Sequence, residues 1–450
     1  MPISPSSTEA VGRRGALLVT SVALLTGAAH AVLAVRQFER FELRSWDNAI
    51  FEQALRGYAG WGAPIVDVKG PGFHVLGDHF SPIYAVLAPV YRLVPAAQTL
   101  LLAQVLLLTV STLVIGRLAL RHLGPVVAVG TTAAYGLSFG LQSAVVAEFH
   151  EVAFGAPLLA LAGAAWVDRR PDRVVLWSLP LLLVKEDLGL TVAVIGAVLW
   201  WAGERRRGLL LVAAGVVTFV LVLTVVLPGF NAEGSYAYTS TLGGERGIVA
   251  TVLTATDTKL LTLLLTFAIT GLAALFSPWA WLVVPTFAWR FAGDVPFYWG
   301  TEWHYSVLLM PIVFCAAIDA AVQRPSVRRL LPVGAVVTVV TLAGSPVLRV
   351  LDADLYRDPP RAEVAREAIE AVPVGAPVVA DIALLTHVVT DHRAYWLGTV
   401  GDAEPRHVLV DTTAGIGSPA DPVAWAEDRF GGRWRTVVEG EGIVLASRTD

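Results

Sequence analysis

Charged side chains are scarce in this sequence of 450 residues. Asp, Glu, Lys and Arg make up 16% of it, whereas hydrophobic residues make up 55%. Soluble domains carry about 25% charged residues, so the composition excludes a large soluble core and indicates an integral membrane protein. The formal net charge of −4 gives no support for nucleic-acid binding.

Cysteine and lysine are rarer still. Cys315 is the only cysteine, so an intrachain disulfide is excluded and a thiolate-ligated metal site is not expected. The only lysines are Lys69, Lys185 and Lys259. Nearly all basic residues are therefore arginines, and the places where they cluster predict the membrane topology.

Long apolar runs fill most of the chain. Residues 15–35 form the first run, which is long enough to span a membrane and longer than a usual signal-peptide core. The preceding Arg13 and Arg14 predict that the tail, residues 1–14, is cytoplasmic and that the following loop lies outside. We expect a multi-pass protein of the bacterial inner (plasma) membrane.

The later runs bring the predicted number of spans to eleven, and this count places every arginine cluster between spans on one side. The predicted fold is an α-helical polytopic membrane protein with about eleven transmembrane helices in residues 15–350. A small soluble α/β domain, residues 351–450, follows outside the membrane. Its predicted elements are a helix over 361–371, strands over 377–381 and 407–411, a helix over 422–430 and a hairpin over 436–448.

The run from Val174 to Trp201 is interrupted by Lys185, Glu186 and Asp187. Read as one span, it would place the arginines at 205–207 outside, so we interpret it as two short spans. Each limb has about 14–16 residues, or roughly 21–24 Å, which is shorter than a hydrocarbon core of roughly 30 Å. The charged apex is therefore predicted to be recessed and to face protein or water.

The first long polar interruption is Ser45–Pro82, within the outer loop 37–96. Apolar residues at helical spacing after Ser45 predict an amphipathic surface helix, and residues 83–94 are too short to span. Irregular polar backbone cannot face lipid, so we interpret this loop as the roof of an active site. A second outer loop, residues 228–257, is interpreted as mobile.

The predicted topology gathers many polar groups on the outer face. The candidate site residues are Asp47, Asp78, His79, Glu148, His150, Glu151, Lys185, Glu186, Asp187, Arg290 and His304. Asp47 has two interpretations of similar weight. With Ser45 as N-cap, it would lie in the first turn of the surface helix, where the helix dipole favours a carboxylate. It could also accept a proton from an attacking sugar hydroxyl.

Lys185 also has two interpretations. It could pair with Glu186 or Asp187 as a structural ion pair, or its ammonium could hold the phosphate of a lipid donor, with Arg290 assisting. The three histidines of the set come from three different loops and could bind a metal together with the acids. Because short-range ligand pairs are missing, ordinary hydrogen-bonding histidines are favoured and the metal stays unknown. The aromatic stretch 297–305 could be an interfacial belt or could stack on sugar rings.

Several short segments carry a family resemblance. The loop that opens with an Asp after the first span, H-F-S-P-I-Y (79–84) and V-K-E-D-L-G-L (184–190) resemble segments of the GT-C superfamily of polyprenyl-phosphate-sugar glycosyltransferases. The segments D-N-A-I-F-E-Q-A, D-H-F-S-P, E-F-H-E, K-E-D-L-G and H-Y-S, in this order, resemble more closely a bacterial multispan family of unknown function within that superfamily. This resemblance runs from about Trp46 into the C-terminal domain.

The resemblance implies an inverting membrane glycosyltransferase whose site faces the cell exterior. Asp47 would be the catalytic base, Lys185 would bind the donor phosphate, and Glu148 or Glu151 would be a second acid. The donor would be a polyprenyl-phosphate sugar and the acceptor a cell-envelope glycan or glycolipid. Two acids follow the lysine where many members have glycine, so a divalent cation (Mg²⁺ or Mn²⁺) or Arg290 would be needed as well.

Two other functions stay open at this point. A polytopic lipid or polysaccharide transporter or flippase would need no bond-making chemistry, and inverted repeats, which the sequence does not display, would favour it. An outer-face transferase of acyl or phospho groups that uses one of the histidines is the third reading.

Overall fold

The structure is a computed structural model that describes residues 7–43, 45–413, 415 and 417–450. Its helices are α1 Ser7–Glu39, α2 Asp47–Ala59, α3 Ala88–Leu93, α4 Ala97–Leu123, α5 Pro125–Gly136, α6 Phe139–Val146, α7 Gly155–Val167, α8 Pro171–Ser178, α9 Leu188–Trp201, α10 Arg205–Leu221, α11 Leu227–Phe230, α12 Ile248–Leu253, α13 Thr256–Ala268, α14 Val284–Ala292, α15 Pro296–Trp299, α16 Leu309–Gln323, α17 Leu331–Leu342, α18 Pro360–Glu370, α19 Ile382–Val388 and α20 Pro422–Phe430. The strands are β1 Pro377–Ala380, β2 Arg393–Trp396, β3 His407–Asp411, β4 Trp434–Gly440 and β5 Ile443–Arg448.

Short turns of 3₁₀ helix connect many of these elements. They are Asp67–Lys69, Val75–Gly77, Pro82–Leu87, Glu151–Phe154, Leu179–Leu183, Ala237–Thr241, Gly244–Arg246, Ala273–Phe276, Pro278–Val283, His304–Ser306, Pro325–Leu330, Pro346–Leu351 and Ala353–Tyr356. One π-helical turn, Val222–Val226, continues α10 into α11. Many predicted spans are therefore bent or broken, often at a proline that cannot donate the hydrogen bond of a helix interior.

Within the described residues, four helices are long and apolar enough to cross a membrane. They are Gly12–Glu39, Ala97–Leu123, Arg205–Phe230 and Pro325–Leu342. A fifth candidate is the pair Pro296–Ser306 and Leu309–Gln323, which bends by 66° at its break. The chain is thus a mostly helical protein with four or five candidate spans, and the count of eleven stays a prediction.

The surface of these helices is apolar. Only 17% of the most apolar window of Arg205–Phe230 is buried inside the protein, and Leu209, Val217 and Val225 each expose more than half of their surface. A contiguous apolar surface of this kind requires a lipid or protein cover. The exposed side chains therefore agree with this helix being one of the candidate membrane spans.

The two short limbs around residues 185–187 are present as predicted. One limb is α8 with Leu179–Leu183, the other is α9, and the three charged residues form the turn between them. The α9 helix packs closely on α10, because a Cβ atom at Gly196 would lie 2.6 Å from the carbonyl oxygen of Gly208. Small residues permit such close contact between helices in lipid.

The arginine clusters lie at one end of the bundle. Ion pairs link their segments: Arg121 with Asp168 at 2.9 Å, Arg207 with Asp172 at 2.7 Å, and Arg169 with Asp319 at 3.0 Å. Three helices, α7, α9 and α16, end here, and each begins near the residues predicted for the site. With 13–15 residues each, they separate the two ends by roughly 20 Å.

The C-terminal domain contains a five-stranded mixed sheet in the order β2-β1-β3-β5-β4. Strand β1 is parallel to β2 and β3, whereas β5 is antiparallel to β3 and β4. The predicted strands, both helices and the terminal hairpin are confirmed within a few residues. Strand β2 and helix α19 were not predicted, since 382–396 contains few of the turn residues that punctuate a sequence.

This domain is docked on the outer loop and shares a continuous core with it. Glu52 of α2 accepts hydrogen bonds from Thr390 at 2.6 Å and from Tyr91 at 2.9 Å, and Gln53 donates to the carbonyl oxygen of Ala394 at 3.0 Å. The rings of Trp46 and Trp396 meet edge-on at 4.8 Å. The sheet therefore covers the helix that begins at Asp47.

Two details of the N-terminal region differ from the prediction. Helix α2 begins at Asp47 with Trp46 at the N-cap position and no side-chain cap, so the prediction of Ser45 as N-cap is wrong. Helix α1 already begins at Ser7, so part of the predicted tail is helical. Residues 1–6 of that tail lie outside the described residues.

Candidate functional site

The structure brings ten of the eleven predicted site residues into one region, which we call the polar cluster. It comprises Asp47, Asp78, His79, Glu148, His150, Glu151, Lys185, Glu186, Asp187 and His304. They come from the outer loop, the turns before α7 and α9, and the 3₁₀ turn before α16. Most residues of the cluster thus lie at or just before the first turn of a helix, and they are far apart in sequence.

Asp47 lies at the first position of α2, where the helix dipole favours its negative charge. Its Oδ2 atom is 3.3 Å from Nε2 of His150, and the hydroxyl of Ser45 donates a short hydrogen bond to the same oxygen. Burial opposes ionisation, but the charge and hydrogen bond of His150 and the bond from Ser45 hold the pKa of Asp47 below its usual range. The carboxylate is therefore ionised at neutral pH.

The ring of His150 makes contacts through both of its nitrogen atoms and through one face. Its Nδ1 atom lies 3.2 Å from the carbonyl oxygen of Glu148, so both ring nitrogens face oxygen acceptors. The ring stacks on that of His304, with centroids 3.5 Å apart and planes inclined by 27°. An imidazolium at His150 would donate to both oxygens at once.

Glu148 and Gln104 fix the backbone that carries His150. Glu148 has φ of 70°, an uncommon value for a residue with a side chain, and its Oε1 atom accepts a hydrogen bond from the backbone N–H of Ser45 at 2.9 Å. The amide of Gln104 donates to the Glu148 carbonyl at 2.7 Å, and its oxygen accepts from the His150 N–H at 2.9 Å. This arrangement locks the start of α2 against the His150 loop.

Lys185 forms its ion pair with Glu151, at 2.6 Å between Nζ and Oε1. Neither Glu186 nor Asp187, the partners considered from the sequence, makes this contact. The side chain of Glu151 is 1% exposed and that of Lys185 is 17% exposed. The pair thus joins the apex of the α8–α9 hairpin to the turn before α7, and a part of the Lys185 side chain stays exposed.

His79 connects Asp78 with Glu186, since its two ring nitrogens lie 3.5 Å from one oxygen of each. Burial lowers the pKa of His79, but Asp78 and Glu186 outweigh burial and the repulsion of Lys185, so that the net shift is upward. Lys69 pairs with Asp78 at 2.5 Å. Burial raises the pKa of Asp78, and His79 and Lys69 together bring it below its ordinary value.

Two tyrosines of the second outer loop, which we interpreted as mobile, cover this part of the cluster. The hydroxyl of Tyr236 donates to Glu186 at 3.3 Å, and that of Tyr238 lies 3.2 Å from Nε2 of His79. Burial, Asp78 and Asp47 raise the pKa of Tyr238 against the effect of Lys185.

The sequence analysis missed Tyr236, Tyr238, Lys69 and Gln104. A signal was present for Gln104, because a polar side chain inside an apolar span usually has a partner. The tyrosines gave no comparable signal, since a short polar loop rich in Gly and Ser has the same kind of sequence whether it packs on the protein or extends into solvent.

Arg290, the eleventh candidate, is fully buried beside the cluster. Its guanidinium donates to the carbonyl oxygens of Tyr298 at 2.7 Å and Gly300 at 2.6 Å and to the hydroxyl of Ser306 at 3.2 Å. Among the described residues it forms no ion pair. These bonds shape the aromatic loop before α16, which positions His304.

The match to a family model covers the cluster and the docked domain together. The model, described as "Predicted membrane protein (DUF2079)", matches residues 37–445. The chain belongs to this family. No curated protein matches the sequence. Since the DUF2079 match begins with the outer loop and ends in the last strand, the loop, the cluster and the sheet are parts of one family unit.

The described parts of this DUF2079 chain contain no cluster of side chains arranged to bind a metal ion. They contain no group of three or more His, Cys, Asp or Glu side chains that could hold a metal. The three histidines pair with carboxylates or stack instead of converging on one point. The described side chains thus do not fit Mg²⁺ or Mn²⁺, and we derive no step through either.

Proposed function

We propose that this DUF2079 protein is a GT-C-type membrane glycosyltransferase. It would transfer a sugar from a polyprenyl-phosphate donor to a cell-envelope glycan or glycolipid on the outer face of a bacterial inner membrane. In this orientation the arginine-rich end is cytoplasmic, in agreement with the positive-inside bias, and the C-terminal domain lies outside with the polar cluster.

The observation that carries the proposal is the exposure of Asp47. Its side chain is 28% exposed, whereas those of Asp78, Glu151 and Glu186 are between 1% and 4% exposed. A general base must reach the proton that it accepts. Asp187 is also partly exposed, but Asp47 is the partly exposed carboxylate of the cluster that a histidine contacts, with His150 at 3.3 Å. His150 keeps it ionised and fixes its orientation.

In the proposed reaction, the acceptor hydroxyl gives its proton to Asp47 while its oxygen attacks the anomeric carbon of the donor. The bond from that carbon to the polyprenyl-phosphate oxygen breaks, and the phosphate leaves with the electron pair. His150 stabilises the carboxylate before transfer. It can take up part of the charge change afterwards, because its Nε2 atom stays within 3.3 Å of Asp47.

Lys185 is the proposed contact for the donor phosphate. Its side chain is 17% exposed, and its Nζ atom pairs with Glu151 at 2.6 Å. A phosphate that approaches from the open side would share the ammonium with Glu151, since Lys provides three donors. Arg290 would act indirectly, by holding the loop that carries His304.

The test is sugar transfer by the purified full-length protein in liposomes, with a panel of polyprenyl-phosphate sugars and membrane glycolipid extracts as acceptors. We expect Asp47→Asn to lower the rate of polyprenyl-phosphate release by about 10²- to 10⁴-fold, because a general base contributes that much. Asp67→Asn is the matched control. It removes the same charge from the same loop, where Asp67 accepts a bond from the backbone of Gly72 at 2.9 Å.

Equal losses in the two variants would contradict the role of Asp47 as base. Folding of each variant is checked by its thermal unfolding midpoint. If the wild-type protein releases no polyprenyl phosphate with any donor and acceptor of the panel, the transferase proposal fails.

A transporter or flippase is the second candidate, and the charge of the cluster favours it. The cluster contains six acids, Asp47, Asp78, Glu148, Glu151, Glu186 and Asp187, whereas the lysines that pair with it among the described residues are Lys69 and Lys185. Carboxylate and histidine chains within membrane proteins often carry protons. Proton-driven flux of a lipid-linked sugar across the bilayer, without its cleavage, would support this function instead.

A further inference from the structure

A cavity of about 510 Å³ lies at the arginine-rich end of the bundle, opposite the polar cluster. Cavities of this size hold small ligands or parts of larger ones. The residues that give its wall a polar and aromatic character are Trp166, Arg169, Trp201, Trp281, Gln323 and Arg324. Three of them close the ends of α7, α9 and α16, so the cavity is framed by the same helices that begin at the cluster.

The charge of this cavity is positive. Arg169 is neutralised by the fully buried Asp319 at 3.0 Å, which also accepts hydrogen bonds from Ser277 at 2.6 Å and Gln323 at 2.8 Å. Arg324 is exposed and has no ion-pair partner in the part of the chain that the structure describes. One guanidinium is therefore left to bind an anion from outside the protein.

The rim of the cavity is aromatic. Trp201 and Trp281 expose 72% and 61% of their surfaces. Tryptophan is enriched where lipid headgroups meet the hydrocarbon region, because its ring is apolar and its N–H is polar. The rim therefore lies at the depth of the phosphates of the bilayer.

A second cavity, of about 520 Å³, adjoins the first. The two share Leu275, Ser277 and Trp281 in their walls, and the second continues between apolar side chains as far as Phe291 on α14. A cationic pocket that opens into an apolar groove matches a molecule with an anionic head and a hydrocarbon chain. A soluble anion would leave the groove unfilled, and a neutral lipid would leave Arg324 without a partner.

We propose that these two cavities form a binding site for an anionic phospholipid. Its phosphate binds at Arg324 beside the Arg169–Asp319 pair, and one acyl chain lies in the apolar groove. The phosphate end of this site, at Arg324, is distinct from the polar cluster, since the helices separate the two by roughly 20 Å. The apolar groove runs from there toward the other end of the bundle, as far as Phe291. The proposal does not depend on the proposed function. The bound lipid would contact the ends of α7, α9 and α16 and hold them together.

The test is lipid binding by the full-length protein, measured by native mass spectrometry and by the shift of its thermal unfolding midpoint in neutral detergent. The probes are phosphatidylglycerol, phosphatidylcholine and soluble glycerol phosphate. We expect phosphatidylglycerol to bind and to raise the midpoint, and the other two to do neither. We expect Arg324→Gln to weaken phosphatidylglycerol binding about fivefold, the effect of one basic residue at an anionic membrane surface.

Arg329→Gln is the matched control, because Arg329 is an exposed arginine of the same 3₁₀ turn region that does not line either cavity. Arg324→Lys should retain binding, since it keeps the charge. Equal affinities of the Arg324→Gln and Arg329→Gln proteins would overturn the proposal, and so would equal binding of phosphatidylcholine. Binding of glycerol phosphate as tight as that of the lipid would show a site for a free anion and would also overturn it.

Discussion

The two ends of helices α7, α9 and α16 carry opposite charge. Where the helices begin, carboxylates and histidines lie near Lys185, and where they end, several arginines lie near one another and one of them, Arg169, pairs with the buried carboxylate of Asp319. The difference follows partly from the helix dipole, which favours anions at the start of a helix and cations at its end. Because all three helices run in the same direction, their dipoles act together.

The carboxylates at the two ends also differ in how completely they are enclosed. Asp319 is fully buried and accepts hydrogen bonds from three side chains, so its position is consistent with a structural role. Asp47 is 28% exposed and has two side-chain partners. Enclosure, more than charge, separates a carboxylate that holds the fold from one that can meet a substrate.

The largest stability effect is expected at the Lys185–Glu151 pair. Lys185→Met leaves Glu151 charged and 1% exposed without its cation, and the loss of one partner of a buried pair costs about 3–5 kcal/mol of unfolding free energy. The measurement is reversible unfolding of the protein in mixed micelles.

The double variant Lys185→Met with Glu151→Gln checks the cause. It removes both charges, so we expect it to be more stable than Lys185→Met alone. If the loss of unfolding free energy in the double variant equals the sum of the losses in the two single variants, the two side chains do not interact.

A smaller effect, which depends on pH, is expected where the C-terminal domain is docked on α2. Burial raises the pKa of Glu52 from 4.5 to about 7, although bonds from Thr390 and Tyr91 oppose it. The folded protein then holds a proton that the unfolded chain loses above pH 4.5. The contribution of Glu52 to the free energy of unfolding is fully present below pH 4.5 and is lost as the pH rises through 7. It amounts to about 3 kcal/mol in total.

This prediction is checked by the unfolding midpoint between pH 5 and pH 8. The wild-type midpoint should fall as pH rises, and Glu52→Gln should flatten the profile over the same window. An identical slope in the variant would mean that another group is responsible.

The smallest effect is expected at the arginine-rich end. Asp319→Asn keeps an oxygen acceptor but removes the charge that neutralises Arg169, whose side chain is 52% exposed and can turn to water. We expect a loss of about 1.5–3 kcal/mol in unfolding free energy, the range for a hydrogen bond to a charged group. Asp172→Asn, at an ion pair whose carboxylate is 80% exposed, should change stability by less than about 0.5 kcal/mol. A larger loss for Asp319→Asn than for Lys185→Met would reverse the comparison between the two ends.

Much of this organisation could be predicted from the sequence. The apolar runs and arginine positions predicted the hairpin with Lys185 at its turn and the shared end of the arginine clusters. The side of the membrane on which the loops lie and the depth of Lys185 stay predictions. Alternating hydrophobicity predicted strands β1 and β3. Such features depend on neighbours in sequence or on a bias along the whole chain, so one sequence is enough to reveal them.

Partners could not be predicted in the same way. The sequence suggested Glu186 or Asp187 for Lys185, whereas the partner is Glu151, 34 residues earlier. The roles of Tyr236 and Tyr238 depend on how a loop folds back onto the cluster. Contacts of this kind are decided by packing between helices, and their residues carry no local periodicity.

The docking of the sheet on α2 has a consequence for assembly of the protein in the cell. The sheet follows the membrane-embedded part in the chain, so α2 with its buried Glu52 is made long before Thr390 and Ala394 can cover it. The contacts that cover α2 can therefore form only after the last hundred residues of the chain have been synthesised. A ribosome stalled in this region would leave a protein with all of its candidate spans and an unfinished Asp47 site.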